Sequence, residues 1–265
     1  MSDLLKQLQA AKVYDLGQPY FVGMPHHPVH PPFLYSLTKK HGDYVLPGGG
    51  SSASDALALG SHLGTHMDAL CHFSCGGKFY GDVDVAKVQS FSGGIERYSI
   101  DTIAPIVRRG ILLDIVGQQN MEALPPDFEI TSVHMEAAAR AHGVSITSGD
   151  VVLLRTGWAR FFEDAARFES QLRGPGPGKE GARWLSAHGV FAAGSDTIAF
   201  ELMPSHAMAV HVHLLVKTGI HIIECLNLEH LAAERVYEFA FIAMPLKIRG
   251  ATGSPIRPIA LRSRI

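Results

Sequence analysis

The chain has 265 residues, 46% hydrophobic and 18% charged, with a formal net charge of −2. That near-neutral balance argues against nucleic acid or an anionic membrane as the main partner, because both select basic surfaces, and no run of about 18 apolar residues marks a membrane span. The length suits one large domain over residues 1–265 with a sizeable core, and the low charged fraction points to apolar surface shared between subunits.

The N-terminal MSDLLKQLQAAKVYDLG reads as a short amphipathic helix without the continuous apolar stretch of a signal peptide. The first hundred residues are loop-rich: VYDLGQPYFVGMPHHPVHPPF is dense in proline and GGGSSASD in small residues, so strands there should be short. From residue 99 onward a helix–glycine–strand unit recurs. SIDTIAPIVRRG, with Ser99 as its cap and Gly110 ending it in the left-handed conformation, leads into ILLDIV. TSVHMEAAARAHG precedes VVLLRT, KEGARWLSAHG leads into VFAAGS, and HAMAVHVHLLVKTG leads into HIIECL. QLRGPGPGKEG (171–181) reads as the clearest surface loop, VYEFAFIAMPLKI as one long strand, and RGATGSPIRPIAL as a structured loop in which Arg257 stabilises the loop or a subunit contact. Helices alternating with apolar strands predict an α/β fold, a mixed sheet covered by helices. No linker or fixed-period repeat divides the chain. Cys71, Cys75 and Cys225 are too few and too odd in number for a disulfide framework, which fits a reducing cytoplasm.

The 15 histidines are the one abnormal count. SHLGTHMDALCHF (61–73) places His62, His66, Asp68 and His72 at even spacings, which in an extended chain share one face. Ten residues of straight strand span roughly 33 Å, too far for all four to reach one ion, so the chain must bend, with Gly64 a suitable place. His62, His66 and Asp68 are expected to converge, with His72 nearby at the edge. Imidazole plus carboxylate is the ligand set of a catalytic zinc, manganese or iron site. Such an ion polarises a carbonyl and brings its water towards a neutral pKa, giving a hydroxide nucleophile; a histidine outside the ligand set can then carry the proton. The competing reading of any one of these histidines is a hydrogen-bonded structural residue.

HVHLLVKTGIHIIECLNL adds His211, His213, His221 and Glu224. His211 and His213 lie two apart on a predicted helix, so only one can face a given site. Glu224 sits in an apolar strand, where a carboxylate is paired or metal-bound unless it occupies an edge facing water.

HLGTHMDALCH resembles the cyclase-like metal-dependent hydrolase family, which includes kynurenine formamidases and isatin hydrolases and has the motif H-x-G-T-H-x-D-x-P-x-H. DLGQP resembles that family's opening motif, and LLRTGW, GSDT, HLLVKTGIHIIECLNL and PLKIRGATGSPIRPIA follow in the expected order. The resemblance implies an α/β fold of swivelling β/β/α type and one or two zinc or manganese ions. It implies His62, His66, Asp68, His213 and Glu224 as metal ligands, with Asp68 able to bridge two ions and His72 as proton donor and acceptor. It also implies a homodimer or homotetramer acting on a small molecule. In two places the chain departs from the pattern: Leu70 replaces the motif's proline, and no tryptophan follows the opening motif.

His26, His27 and His30 read either as a packed or solvated loop or as a lid facing substrate. Cys71 and Cys75 read as small hydrophobes rather than nucleophiles, and Asp196 in GSDT as a site residue or a turn anchor. The expected activity is hydrolysis of a C–N bond in a small amide, lactam or aryl formamide. A lactone or ester substrate would use the same apparatus. Two further alternatives are a non-haem iron oxygenase built on His66-x-Asp68 and a closed structural metal site.

Overall fold

The computed structural model describes residues 3–263. Among them nine strands form one sheet, numbered here in chain order: β1 Lys12–Asp15, β2 His66–Asp68, β3 Ile106–Asp114, β4 Val151–Arg155, β5 Ala192–Ser195, β6 His221–Glu224, β7 Glu238–Ala243, β8 Gly253–Pro255 and β9 Ile259–Arg262. Their order across the sheet is β1-β9-β7-β3-β4-β5-β6-β2-β8. The central four, β3 to β6, run parallel, and antiparallel strands flank them on both sides. This is the mixed sheet covered by helices that the alternating pattern predicts.

The central strands are apolar on both faces, as a sheet covered on both sides requires. Leu113, Val152, Leu154, Ala193 and Ile222 pack on one face with Met135, Ala138, Leu185 and Leu214. With the N-terminal helix Asp3–Ala10 as α1, those four come from helices α2 (Ser132–His142), α3 (Lys179–Ala187) and the segment beyond Ala209. On the other face, Leu112, Leu153 and Ile223 share a core with Tyr14, Met67, Phe239, Phe241 and Ala260. All five of these belong to flanking antiparallel strands, so the sheet curls over its own face. Helix α2 has the ends its sequence promises, a capping box on Thr131 and Gly143 at φ 65°.

Four expectations need correction, one being that RGATGSPIRPIAL is a loop, since it holds β8 and enters β9. Residues 99–110 are not a helix: Ser99 precedes only the single turn Ile100–Thr102, and β3 begins at Ile106. Gly110 ends nothing; it lies inside β3, where an added Cβ would come within 2.2 Å of the Phe239 ring, so its bare backbone is what lets that ring pack. VYEFAFIAMPLKI is a strand only over Glu238–Ala243, and Met244, Leu246 and Ile248 beyond it are exposed. Lastly, 171–181 is not all surface: Gly174, Pro175, Gly176 and Pro177 are buried. Gly176–Pro177 pairs with Glu129–Ile130, and Gly174 bridges Met203. The first hundred residues are as irregular as expected, and their longest strands form a hairpin, Leu34–Lys39 with Ser54–Ala58. No helix among the described residues is long and apolar enough to cross a membrane.

Candidate metal centre

The site forms where the parallel sheet meets its antiparallel edge. β2 lies between β6 and β8, and in the β6 register His66 stands opposite Glu224. The HLGTH strap bends before β2 at Gly64, which has φ 57°. Tyr20 packs against that bend and donates its hydroxyl to Leu63 O at 2.6 Å and Thr65 O at 3.1 Å. Thr65 Oγ1 in turn donates to Cys225 O at 2.6 Å, fastening the strap to the end of β6. After β2 the chain turns again without the motif proline, closed by His72 N donating to Ala69 O at 2.9 Å.

These bends bring His62, His66, Asp68, His72 and Glu224 together. Asp68, His211 and Glu224 offer ligand atoms within 4.8 Å of one another, and so do His62, Asp68 and His72; Asp68 is common to both sets. His66 Nε2 lies 3.5 Å from Asp68 Oδ1 and 3.5 Å from Glu224 Oε2. His211 Nε2 lies 3.3 Å from Glu224 Oε1 and 3.9 Å from Asp68 Oδ2. Donors held about 2.0–2.2 Å from one tetrahedral ion would stand about 3.4 Å apart, the scale of these spacings, with the two histidines meeting different oxygens of Asp68 and of Glu224. His62 is closer than that to its neighbour: its Nδ1 is 2.7 Å from Asp68 Oδ1, and its Nε2 is 2.8 Å from Thr252 Oγ1. The His72 ring stacks on His62 with centroids 3.8 Å apart.

His213 does not reach the centre, and His211 takes the place expected of it. Helix α4 (Ala209–His211) widens into a π-helix over Val212–Thr218. That puts His213 on the outer side, its Nε2 2.8 Å from Ser186 Oγ of α3. His211 faces inward and is held by Glu201, whose Oε1 accepts from His211 Nδ1 at 2.7 Å. Glu201 also accepts from Val210 N at 3.1 Å and Ser205 Oγ at 3.0 Å. His66 has the same arrangement, its Nδ1–H donating to Gly64 O at 2.8 Å. Each bond holds the Nδ1 proton in place, so Nε2 is the nitrogen turned to the centre.

The charges are arranged for a cation. Burial opposes ionisation of Asp68, but His72 and His62 beside it outweigh that and hold the carboxyl well below its usual range. Burial works against a charged His211 too, yet Glu201 and Glu224 raise it to about 10. His66 is raised in the same way, burial being outweighed by Asp68 and Glu224. Burial drives His72 the other way, down to about 3. Among the described residues no lysine or arginine is hydrogen-bonded or ion-paired with Asp68 or Glu224. Imidazole nitrogens and hard carboxylate oxygens with no thiolate are a donor set suited to zinc or manganese. The cavity above holds about 240 Å³, small-molecule scale.

The Cyclase family model matches residues 14–202. The chain belongs to the cyclase family. It is 30% identical over 215 residues to the isatin hydrolase of Roseibium aggregatum, covering 77% of this chain and 73% of that one. With the kynurenine formamidase of Bacillus cereus the identity is 27% over 252 residues, covering 95% and 98%. Among solved structures, that of a novel cyclase has a TM-score of 0.89 at 29% identity, over 97% of this chain and 89% of the other. Isatin hydrolase A from Ralstonia solanacearum has a TM-score of 0.75 at 27% identity, over 98% of each.

Within this cyclase-family chain the other singled-out residues settle into plain roles. Asp196 is a turn anchor: Oδ1 accepts from Thr156 N and Oγ1 at 2.9 and 2.6 Å, and Oδ2 from Gly157 N at 2.9 Å. Burial pushes its carboxyl up to about 6. Cys71 is buried with its thiol pushed up to about 12 by that burial, while Cys75 is exposed. Arg257 forks onto Asp15 Oδ2 at 2.9 and 2.7 Å. Sequence reasoning missed Glu201, which stands ten residues ahead of His211 and reaches it only through the fold.

Proposed function

We propose that this chain is a metal-dependent hydrolase that cleaves the C–N bond of a small amide, lactam or aryl formamide. The observation that carries the reading is the convergence of Asp68, His211 and Glu224, with His66 against both carboxylates, beneath a cavity that His66, His211 and Glu224 line. His62 and His72 stand beside them. The names isatin hydrolase and kynurenine formamidase borne by relatives agree with it: the first opens a lactam and the second a formamide.

A zinc or manganese ion held there supplies Lewis acidity and an activated water. The chain's own groups do the rest. His66 and His211 present Nε2 with the proton kept on Nδ1 by Gly64 O and Glu201. Phe200 N donates to Glu224 Oε1 at 2.8 Å and fixes that carboxylate. His72, beside Asp68 and stacked on His62, would take the proton that the attacking water gives up and return it to the departing amine. Leu63, Phe73 and Ile198 line the cavity and limit the water around the reacting carbonyl.

The test is hydrolysis of N-formylkynurenine, isatin and an aryl lactone before and after chelation, with zinc and manganese restored separately. Amide turnover that dies on chelation and returns with one metal is the expected result; turnover of the lactone alone moves the assignment to ester chemistry. Metal-dependent oxygen consumption would make the site an oxygenase. Leu34, Tyr35, Leu37 and Leu57 are exposed on one hairpin, which supports assembly as a homodimer or homotetramer, to be read by light scattering.

A further inference from the structure

The histidine-rich turn 25–30 roofs the cavity over the metal centre and belongs to the site already described. A second cavity, of about 240 Å³, shares no lining residue with that one. Leu70, which stands in place of the motif proline, lines it together with Ile103, Ile106 and Phe191. Tyr98 lines it too, at φ 58°. That left-handed backbone is costly for an aromatic residue and is the kind of strain that gathers at ligand sites.

Two polar side chains complete the wall, and each has capacity to spare. His221 Nδ1 donates to Asp68 O at 3.0 Å. Its Nε2 has no hydrogen-bond partner among the described residues, although the residue is only 8% exposed, and a buried polar atom in that state calls for one. Arg108 donates to Gly149 O at 3.3 Å and lies over the Phe191 ring, 4.0 Å from its centre. Arg109 beside it is paired with Asp150 and Glu238, but Arg108 has no carboxylate partner among the described residues. The His221 ring stands 5.4 Å from the same Phe191 ring, so a cation and an open nitrogen flank one aromatic face. One cation among apolar walls suits a monoanion with an apolar body. A phosphate monoester, nearer two charges at neutral pH, would call for a second cation. A hydroxyl on that body either donates or accepts, so it can meet Nε2 whichever way the proton lies.

We propose that this cavity is a second binding site, for a small aromatic carboxylate that carries a hydroxyl or amine. The carboxylate meets Arg108, the ring lies against Phe191, and the second group meets His221 Nε2. Because the same imidazole holds Asp68 O, the occupant is felt at the metal centre. Resting on the hydrolase reading, the ligand is of the product class, since water added across the C–N bond of an aryl lactam leaves a carboxylate and an amine on one molecule.

The test is calorimetric titration of the metal-loaded full chain with 3-hydroxybenzoate, whose two groups stand too far apart to chelate one ion together. Benzoate, which lacks the hydroxyl, should bind about 3- to 10-fold more weakly. Arg108→Gln should weaken the event about tenfold, and Ala104→Trp, at an exposed position of the lining, should block it. Val29→Trp, in the wall of the front cavity, should leave it unchanged. With the ligand at saturation the zinc affinity should shift about twofold or more, and Arg108→Gln should abolish that shift. No heat at millimolar concentration, an event untouched by Arg108→Gln, or one lost in Val29→Trp overturns the proposal, and an unmoved zinc affinity overturns the link to the centre. None of these readouts needs turnover, so a chain that binds as expected yet hydrolyses no amide would sink the hydrolase reading and leave the second site standing.

Discussion

His211 and His213 differ by two positions and face opposite surroundings, which makes them the sharpest test at the scale of single residues. His211→Ala should strip the ion, and His213→Ala should leave it in place; metal analysis of the purified variants decides between them. Glu201→Gln keeps the shape but weakens the carboxylate's hold on His211 Nδ1, so metal affinity should fall about 10- to 100-fold. His72→Ala should keep its metal while turnover drops about 10²- to 10⁴-fold, the usual reach of general acid–base catalysis; loss of the ion instead would make His72 a ligand. The sequence pointed to most of this cluster, because even spacing plus a glycine bend already implies convergence. The resemblance led to His213, where the structure turns His211 inward, a choice between two histidines on one helix. That choice depends on the rotation of the helix, which the π-helical widening and a carboxylate ten residues upstream decide together.

Among the elements, prediction worked where local preference and tertiary role agree. Helix 132–142 carries its cap and its terminal glycine in the sequence, and β4 is apolar on both faces because it lies mid-sheet. β3 was misread because IAPIVRRG mixes residues of either preference, and its identity comes from pairing with β7 and β4 on its two sides. The GPGP strap was misread because glycine and proline look like surface. It is buried because only a residue without Cβ can lie against the turn at Phe200 and Glu201, 2.5 Å from where a Cβ would stand. Gly176→Ala should therefore cost about 1–3 kcal/mol and lower metal affinity too, since it presses on the backbone that aims Glu201. Thermal melts with and without metal would show both effects; an ordinary melt with unchanged affinity would deny the coupling.

For the whole molecule, ion binding and folding are linked. An ion that binds only the folded chain stabilises it by about 2.7 kcal/mol at one hundred times its dissociation constant, so chelation should lower the melting temperature and added metal should raise it. Acid acts elsewhere. Asp150 accepts from Arg109 at 3.0 and 2.7 Å, and although burial opposes its ionisation, that fork holds its carboxyl below the usual range. A depressed folded-state value means that the pair stabilises fully above the unfolded value, about pH 3.9, and ceases to as pH falls through the folded one. Asp150→Asn should cost about 1.5–3 kcal/mol at neutral pH and should flatten the acid limb of a stability–pH curve. The pairing of His66 with Glu224 across β2 and β6 has a consequence in time. One strand is made early in synthesis and the other near its end, and a slip of one residue would turn one partner to the opposite face. No ion can be gripped until the ribosome has passed residue 224 and the two strands have met in register, so possession of the metal certifies that the two distant strands are correctly joined.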